Sequence, residues 1–243
     1  MTAGLPEAAI WHDVECGSYA ADLPVWRSLA AGTGDPVLDI GAGTGRVALD
    51  LARRGHRVIA LDSDSPLLEV LARRARGLPV ETLTADARDF RLDQPVALCI
   101  VPMQTIQLLG GRPGRAAFLR CARAQLRRGG LLAAAIAEEL ADFAPGDPAG
   151  LPPPDIREHG GWVYASQPVA VRRRGETMVL ERRRESVAPD GTRRARDDVV
   201  RLDRVTARGL EREAALAGLS AMPWVDVPPT PEHVGSRVVI LRG

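Results

Sequence analysis

The sequence predicts an α/β fold in which a mostly parallel, doubly wound sheet carries an inserted antiparallel meander. Residues 37–62, VLDIGAGTGRVALDLARRGHRVIALD, contain an apolar run, a glycine cluster, an apolar pattern at helical spacing and a second apolar run. That order is typical of a strand, a tight turn, a helix and a strand, which implies a parallel pair with a right-handed crossover. Apolar runs at 80–83 and 96–101 continue the parallel sheet. Residues 162–205 instead show partial period-two alternation broken by turn signals, which indicates antiparallel strands.

The remaining elements follow from periodicity and from start and stop signals. Residues 1–18 are predicted to be a loose lead-in. The predicted helices cover about 19–32, from a start at 63–66 to about 76, 115–128 (ended by Gly129-Gly130) and 206–216. The later strands are a fifth one after the glycine pair, with Glu138 and Glu139 at its carboxyl end, and two more at 225–227 and 238–241. Three strands are predicted in the insertion, at 162–172, 178–187 and 194–205. The predicted domains are an N-terminal lid or helical segment (1–35), a core (36–140 and 206–243) and an antiparallel β insertion (141–205).

Composition narrows the class of protein. The chain has 243 residues, of which 45% are hydrophobic and 26% charged, which describes an ordinary globular protein of either one large domain or one domain with an appendage. A formal net charge of +1 gives no global attraction to nucleic acid or to a membrane. The N-terminus has no basic leader and no long apolar stretch, so we expect no membrane span and a cytoplasmic location. The three cysteines form no C-x-x-C pair, which favours buried free thiols, and we expect no metal site.

The glycine cluster indicates a ligand site. Gly41, Gly43 and Gly45 allow the backbone to turn sharply and to approach a ligand without an intervening Cβ. The helix that follows offers unpaired N–H groups. Asp62, at the carboxyl end of the next strand, is placed to accept hydrogen bonds from two ribose hydroxyls. Arg46 stands where the dinucleotide fingerprint G-x-G-x-x-G needs its third glycine, which disfavours a nicotinamide oxidoreductase.

Together with Asp39 the cluster reads D-I-G-A-G-T-G, which closely resembles the first motif of the class I S-adenosylmethionine-dependent methyltransferases. The resemblance extends over about 19–137 and 206–241. It implies a Rossmann-like sheet of seven strands with an antiparallel last strand. It also implies S-adenosylmethionine as cofactor, S-adenosylhomocysteine as product and in-line methyl transfer to N or O of a small molecule. The cofactor-binding residues it implies are Asp39, Gly41, Ala42, Gly43, Asp62, Ser63, Asp86, Ala87, Val101 and Tyr19.

Two of these assignments carry specific roles by resemblance. Asp86 would accept a hydrogen bond from the adenine amino group, while the Ala87 N–H would reach a ring nitrogen. Tyr19 has two interpretations: a lid residue that contacts the methionine end of the cofactor, or a residue that helps Trp26 to dock the first helical region on the sheet.

The acceptor side is less specific. The carboxyl end of a central strand is where a ligand crevice opens in a doubly wound sheet, which makes Met103, Gln104 and Gln107 the predicted substrate-binding residues. Gln107 has an alternative role as a helix residue above Leu108.

No catalytic residue is assigned. A sulfonium donor is already activated, so the protein must mainly bind, align and exclude water, although an acceptor that must lose a proton needs a base. The candidates for that base are Glu138, Glu139, His159 and His233, of which Glu138 and His233 are retained. Each has a plain alternative, since Glu138 fits a solvated strand end and His233 a solvated loop.

The insertion raises the question of a macromolecular partner. Residues 171–205 contain eleven arginines against seven acidic residues, a pattern that could bind RNA. The acids interleave with the arginines, and only Trp162 and Tyr164 offer stacking surfaces nearby. After the fourth strand the chain reads V-P-M-Q rather than the N-P-P-Y-type tetrad of amino-methylating nucleic-acid enzymes. A solvated face or a homodimer contact is therefore favoured over nucleic acid, while an RNA methyltransferase and a non-catalytic nucleotide-binding regulator stay open.

Overall fold

The computed structural model describes residues 4–138, 140–147, 150–230 and 233–243. It divides into two compact units. The core unit comprises Ala20–Glu138 and Val205–Gly243, and the insertion unit comprises Met1–Tyr19 and Glu139–Arg204. In chain order the elements are α1 (Glu7–Cys16), α2 (Leu23–Thr33), β1 (Val37–Ile40), α3 (Arg46–Ala52), β2 (Val58–Asp62), α4 (Ser65–Arg74), β3 (Val80–Thr84), β4 (Val96–Val101), a 3₁₀ turn (Thr105–Leu108), α5 (Gly111–Gln125), β5 (Leu126–Ile136), β6 (Asp155–His159), β7 (Trp162–Arg174), β8 (Thr177–Val187), β9 (Arg193–Asp203), α6 (Ala207–Leu216), β10 (Ser220–Val227) and β11 (Ser236–Arg242).

The core unit contains a seven-stranded sheet in the order β10-β11-β5-β4-β1-β2-β3. Strands β1 to β5 are mutually parallel, and β11 runs antiparallel to both β5 and β10. Side chains of alternate residues enter two separate apolar clusters: Leu38 and Ile40 belong to one, and Val37 belongs to the other. Both faces of the sheet are thus covered, which explains why these strands read as continuous apolar runs. The predicted mostly parallel, doubly wound fold is confirmed.

Two predicted helix starts are confirmed by their caps. The Asp64 carboxylate accepts from the Leu67 N–H at 3.3 Å at the start of α4, with Pro66 in the first turn. The Thr206 hydroxyl accepts from the Gly209 N–H at 3.0 Å at the start of α6. Each side chain satisfies one of the N–H groups that a helix start leaves unpaired.

The boundary between α5 and β5 differs from the prediction. The helix ends at Gln125 rather than at 128, and the strand begins at Leu126, before the glycine pair. The Gly129 N–H donates to the Gly243 carbonyl at 3.1 Å, and the Gly243 N–H donates to the Gly130 carbonyl at 2.9 Å. Pairing with a distant part of the chain therefore draws this segment into the sheet, although glycine pairs usually end an element.

The insertion unit contains a four-stranded antiparallel sheet, β6-β7-β8-β9, rather than the three strands predicted. The additional strand, β6, has the sequence DIREH, whose one apolar residue, Ile156, is 64% exposed, so it lacks an alternating signal. Residues 7–16 form a helix rather than a loose lead-in. Its Trp11 is buried and packs edge-on against Tyr164 of β7, with ring centroids 5.3 Å apart.

The predicted N-terminal segment 1–35 is divided between the units. The part through Tyr19 belongs to the insertion unit and α2 belongs to the core unit. Among the helices of the described residues, none is both long and apolar enough to cross a membrane.

Candidate functional site

The glycine bend, residues 41–45, follows β1 directly. Gly41, Gly43 and Gly45 have φ values of 69°, 54° and 98°, a region that L side chains rarely adopt. The N–H groups of residues 41 and 42 donate to the Leu61 carbonyl at 2.8 and 3.0 Å, which ties the bend to the end of β2. A Cβ at Gly41 would meet Thr105 Cγ2 at 2.5 Å. The first glycine thus meets two demands, the backbone turn and the close approach of Thr105.

Asp62 lies against this bend, as its place at the end of β2 predicts. Its Oδ2 accepts from the Gly43 N–H at 2.8 Å, and its Oδ1 accepts from the Asp64 N–H at 3.0 Å. These two bonds fix the orientation of the carboxylate. Each carboxylate oxygen can accept more than one hydrogen bond, so both oxygens retain capacity for a ligand hydroxyl.

Asp39 is a buried acid at the same end of β1. It is 1% exposed, and its Oδ1 has no hydrogen-bond partner among the described residues. Burial raises the pKa of Asp39 to about 7, against the lowering effects of the Arg46 charge and the Ala48 backbone N–H. Because buried polar atoms are nearly always paired, an unpaired carboxylate oxygen beside a glycine bend fits a ligand that brings a donor or a positive charge.

The segment after β3 holds the predicted adenine-binding pair. The Asp86 carboxylate is 46% exposed and is bound by the Arg88 guanidinium, with Nη2 to Oδ2 at 2.6 Å. Arg88 lowers the pKa of Asp86 to about 2. Ala87 is buried. The adenine contacts stay a prediction, and Arg88 is a partner of Asp86 that the sequence pattern does not indicate.

The β4 turn, residues 102–108, lies at the carboxyl end of the central strand, beyond the fully buried Val101. Met103 has a φ of 55° and is the one residue other than glycine with a positive φ in the described parts of the chain. The Thr105 hydroxyl donates to the Pro102 carbonyl at 3.0 Å, which closes the turn. Gln104 is half-buried at the start of the 3₁₀ turn. Met103 and Gln104 follow the carboxyl end of β4, and their substrate-binding role stays a prediction.

The Gln107 side chain, predicted to bind substrate, makes hydrogen bonds to the backbone. It is 1% exposed, its Nε2 donates to the Ala137 carbonyl at 3.2 Å, and its Oε1 accepts from the Ala137 N–H at 2.8 Å. Both ends of the amide are thus bonded to the backbone that follows β5. The side chain ties the β4 turn to the end of β5, and we do not retain it as a substrate-binding group.

The base candidates also find other partners. Glu138 Oε1 accepts from the Ala207 N–H at 2.9 Å, and its Oε2 accepts from Arg237 Nη1 at 2.8 Å. This carboxylate joins the end of β5 to the start of α6 and to β11, and is not retained as a general base. The His233 N–H donates to the Thr230 hydroxyl at 3.0 Å, within the loop between β10 and β11.

Four more of the residues named from the sequence complete the list of candidate positions. Ser63 is exposed directly after β2, and Ala42 is buried within the bend. Tyr19 is 6% exposed at the end of the first segment of the insertion unit, and its contact with a cofactor stays a prediction. Glu139 lies outside the described residues.

Comparisons with known proteins identify a matching family model, similar sequences and similar folds. Residues 37–130 match the family described as Methyltransferase domain. The chain is 35% identical over 103 residues to the cypemycin N-terminal methyltransferase of a Streptomyces species, covering 36% of this chain and 42% of that protein. It is 45% identical over 77 residues to ribosomal RNA small subunit methyltransferase A of Deinococcus radiodurans, covering 30% and 26%. The chain therefore spans less than half the length of these curated relatives.

Among solved structures, an amino pentose methyltransferase from Micromonospora echinaspora, bound to S-adenosylmethionine, superposes with a TM-score of 0.72. The alignment covers 100% of this chain and 99% of that one at 20% identity. At that identity the likeness concerns the fold.

Proposed function

We propose that this chain, whose residues 37–130 match the family described as Methyltransferase domain, is a class I S-adenosylmethionine-dependent methyltransferase that transfers a methyl group to a nitrogen or oxygen of a small molecule. The observation that carries the proposal is the 2.8 Å bond between the Gly43 N–H and Asp62 Oδ2. It places a carboxylate suited to ribose hydroxyls at a bend whose glycines leave the backbone bare. The predicted cofactor is supported by solved neighbours that hold S-adenosylmethionine or its demethylated product.

The residues fit the parts of such a cofactor. The Asp62 oxygens would hold the ribose, Asp86 and the Ala87 N–H would hold the adenine, and the unpaired Asp39 oxygen suits a ligand with positive charge. When bound, the cofactor supplies an activated methyl group on a sulfonium. The chain's remaining task is to seat the acceptor in line and keep water out, for which Met103 and Gln104 are placed.

Among the described residues, the base candidate Glu138 is already engaged in other contacts. Glu138 is held by a backbone N–H and by Arg237, so an acceptor that enters as a neutral amine suits this site best. The names of one relative and one neighbour refer to the N-terminus of cypemycin and to an amino pentose, and these support nitrogen as the acceptor atom.

RNA is the second candidate acceptor, because one relative acts on ribosomal RNA by its name. Electrostatics of the insertion unit disfavour it. Five of the eleven arginines between 171 and 205 pair with carboxylates of the same unit, which lowers the positive charge available to phosphates. The pairs are Arg172–Glu181, Arg182–Asp155, Arg183–Asp197, Arg184–Glu15 and Arg196–Glu7, at 2.6 to 3.7 Å. A homodimer through this unit and a cytoplasmic location complete the proposal.

Calorimetry with S-adenosylhomocysteine tests the cofactor site. We expect the wild-type protein to bind it and Asp62→Ala to bind about 10- to 100-fold more weakly, because charged acceptors of ribose hydroxyls are lost. Asp50→Ala is the matched control, since Asp50 pairs with Arg27 elsewhere in the core unit at 2.7 Å. Equal affinity of the Asp62 and Asp50 variants would remove the site assignment.

Methyl transfer from labelled S-adenosylmethionine then separates the acceptors. Amino sugars, their hydroxyl analogues and ribosomal RNA are offered in parallel. Incorporation into an amine supports the proposal, whereas incorporation into RNA alone favours the second candidate.

A further inference from the structure

A buried ion pair lies directly behind the glycine bend. Arg46, the first residue of α3, has a side chain only 9% exposed. Its Nη1 and Nη2 donate to the two carboxylate oxygens of Asp22 at 2.6 and 2.8 Å. Asp22 immediately precedes α2 and also accepts from Trp26 Nε1 at 2.8 Å. The pair therefore joins the start of α2 to the start of α3 within the core unit.

Stability alone does not explain this pair. Removing two charges from water costs several kcal/mol per ion, and burial of an ion pair often recovers little more than apolar residues of the same volume would. The position of Arg46 is one where a dinucleotide-binding turn has glycine for close packing of helix and strand. Close packing of helix and strand therefore does not account for a long charged side chain at this position.

The charges of the pair act on Asp39. Burial is the largest cause of its raised pKa; the positive charge of Arg46 opposes that rise, and the negative charges of Asp62 and Asp22 add to it. On the neighbouring strand β4, burial raises the pKa of Cys99, so that thiol is neutral and contributes no charge. Near pH 7, burial and the charges of Arg46, Asp62 and Asp22 together leave Asp39 between its ionised and its protonated form.

We propose that Arg46 and Asp22 are positioning residues of the cofactor site, which hold a guanidinium near Asp39 so that this carboxylate is ionised when a cationic cofactor binds. The inference rests on the proposed function, because it requires the cofactor to bind at the glycine bend. It goes beyond that function in giving the arginine an electrostatic role rather than a packing role.

The proposal predicts that cofactor binding is linked to one proton. S-adenosylhomocysteine carries an ammonium group, and an ionised Asp39 favours it. Below about pH 7 its dissociation constant should rise as pH falls, by up to about tenfold for each pH unit, and above that pH it should be flat. Titration calorimetry between about pH 5.5 and 8.5 measures this profile. Asp39→Asn should remove the change of slope near pH 7, called the break below.

The two halves of the ion pair should move the break in opposite directions. Arg46→Gln removes the positive charge, which raises the pKa of Asp39 and moves the break to higher pH. Asp22→Asn keeps an oxygen for the guanidinium but removes a negative charge, which moves the break to lower pH. Both variants damage the same ion pair, so a purely structural role would shift or weaken binding in the same way in both. Arg46→Lys keeps the charge and should leave the break near its wild-type position.

The Arg115–Glu213 pair supplies a matched control. It joins α5 to α6 at 2.8 Å with side chains only 6% and 11% exposed, so Arg115→Gln also breaks a buried ion pair in the core unit. Its pH profile should match the wild type. Thermal unfolding verifies that each variant is folded, and if Arg46→Gln does not fold, Arg46→Lys and Asp22→Asn still decide.

The outcomes separate this inference from the function on which it rests. Absence of S-adenosylhomocysteine binding at every pH would overturn the proposed function itself. Binding by the wild type with no break, or breaks that move in the same direction in Arg46→Gln and Asp22→Asn, would overturn only the positioning role. Opposite shifts with an unchanged Arg115→Gln profile would support it.

Discussion

Replacement of Gln107 by leucine should destabilise the core unit substantially. The two side chains have similar volume, so the change removes two hydrogen bonds without opening a large cavity. Gln107 is 1% exposed and Ala137 is 5% exposed, which leaves the Ala137 N–H and C=O buried without the amide partner. Each orphaned group costs about 1 to 3 kcal/mol, so we expect a loss of about 2 to 5 kcal/mol in the free energy of unfolding.

Equilibrium urea unfolding followed by circular dichroism measures this loss, with midpoints compared at equal m values. Gln104→Leu is the control, because it makes the same chemical change on the same turn at a half-buried position. A Gln107→Leu variant within about 0.5 kcal/mol of the control would refute the structural role. Wild-type stability together with a raised KM for the acceptor would instead restore the substrate-binding role expected from the sequence.

Three further predictions test the neighbourhood of the site. A raised carboxyl pKa means that the folded state binds the proton more tightly than the unfolded state. The free energy of unfolding of the wild type should therefore fall as pH rises from 3.8 to about 7 and Asp39 ionises. Asp39→Asn should not show this fall, which amounts to at most about 4 kcal/mol when measured by urea unfolding at pH 8. Glu138→Gln should change kcat for methyl transfer less than about tenfold, whereas loss of a true general base would lower it by about 10²- to 10⁴-fold. Gly41→Ala should lower the free energy of unfolding by about 1 to 3 kcal/mol more than Gly55→Ala, which a lower melting temperature would report. Both positions have positive φ, but only a Cβ at Gly41 would meet Thr105, at 2.5 Å.

The parallel strands could be predicted closely because their signal is local. The fourth predicted strand, 96–101, has the bounds of β4, since burial on both faces demands an uninterrupted apolar run. Elements set by pairing with distant residues could not be predicted in this way. β6 carries almost no apolar residue, and residues 126–130 join β5 through bonds that reach Gly243.

The same distinction applies to the site. The place of Asp62 follows from topology, since the ends of adjacent parallel strands meet at one edge of the sheet. The partners of side chains do not follow from topology. Arg46 and Asp22 are separated by 24 positions, Gln107 and Ala137 by 30, and no periodicity relates the members of either pair. The acceptor site depends on such side chains, which is why the cofactor is easier to infer than the acceptor.

Charge also bears on which ligand suits the bend. Arg46, Asp22 and Asp62 are the charged side chains that act on Asp39, so this set of four groups has two negative charges in excess when all of them are ionised. In a buried setting such an excess attracts a ligand with positive charge and repels one with negative charge far more strongly than it would in water. A dinucleotide would bring its pyrophosphate to this bend, whereas the proposed cofactor would bring a sulfonium and an ammonium. Arg46, which breaks the dinucleotide fingerprint, already donates to both carboxylate oxygens of Asp22, so its guanidinium is engaged rather than directed at a phosphate, while its charge still acts on Asp39.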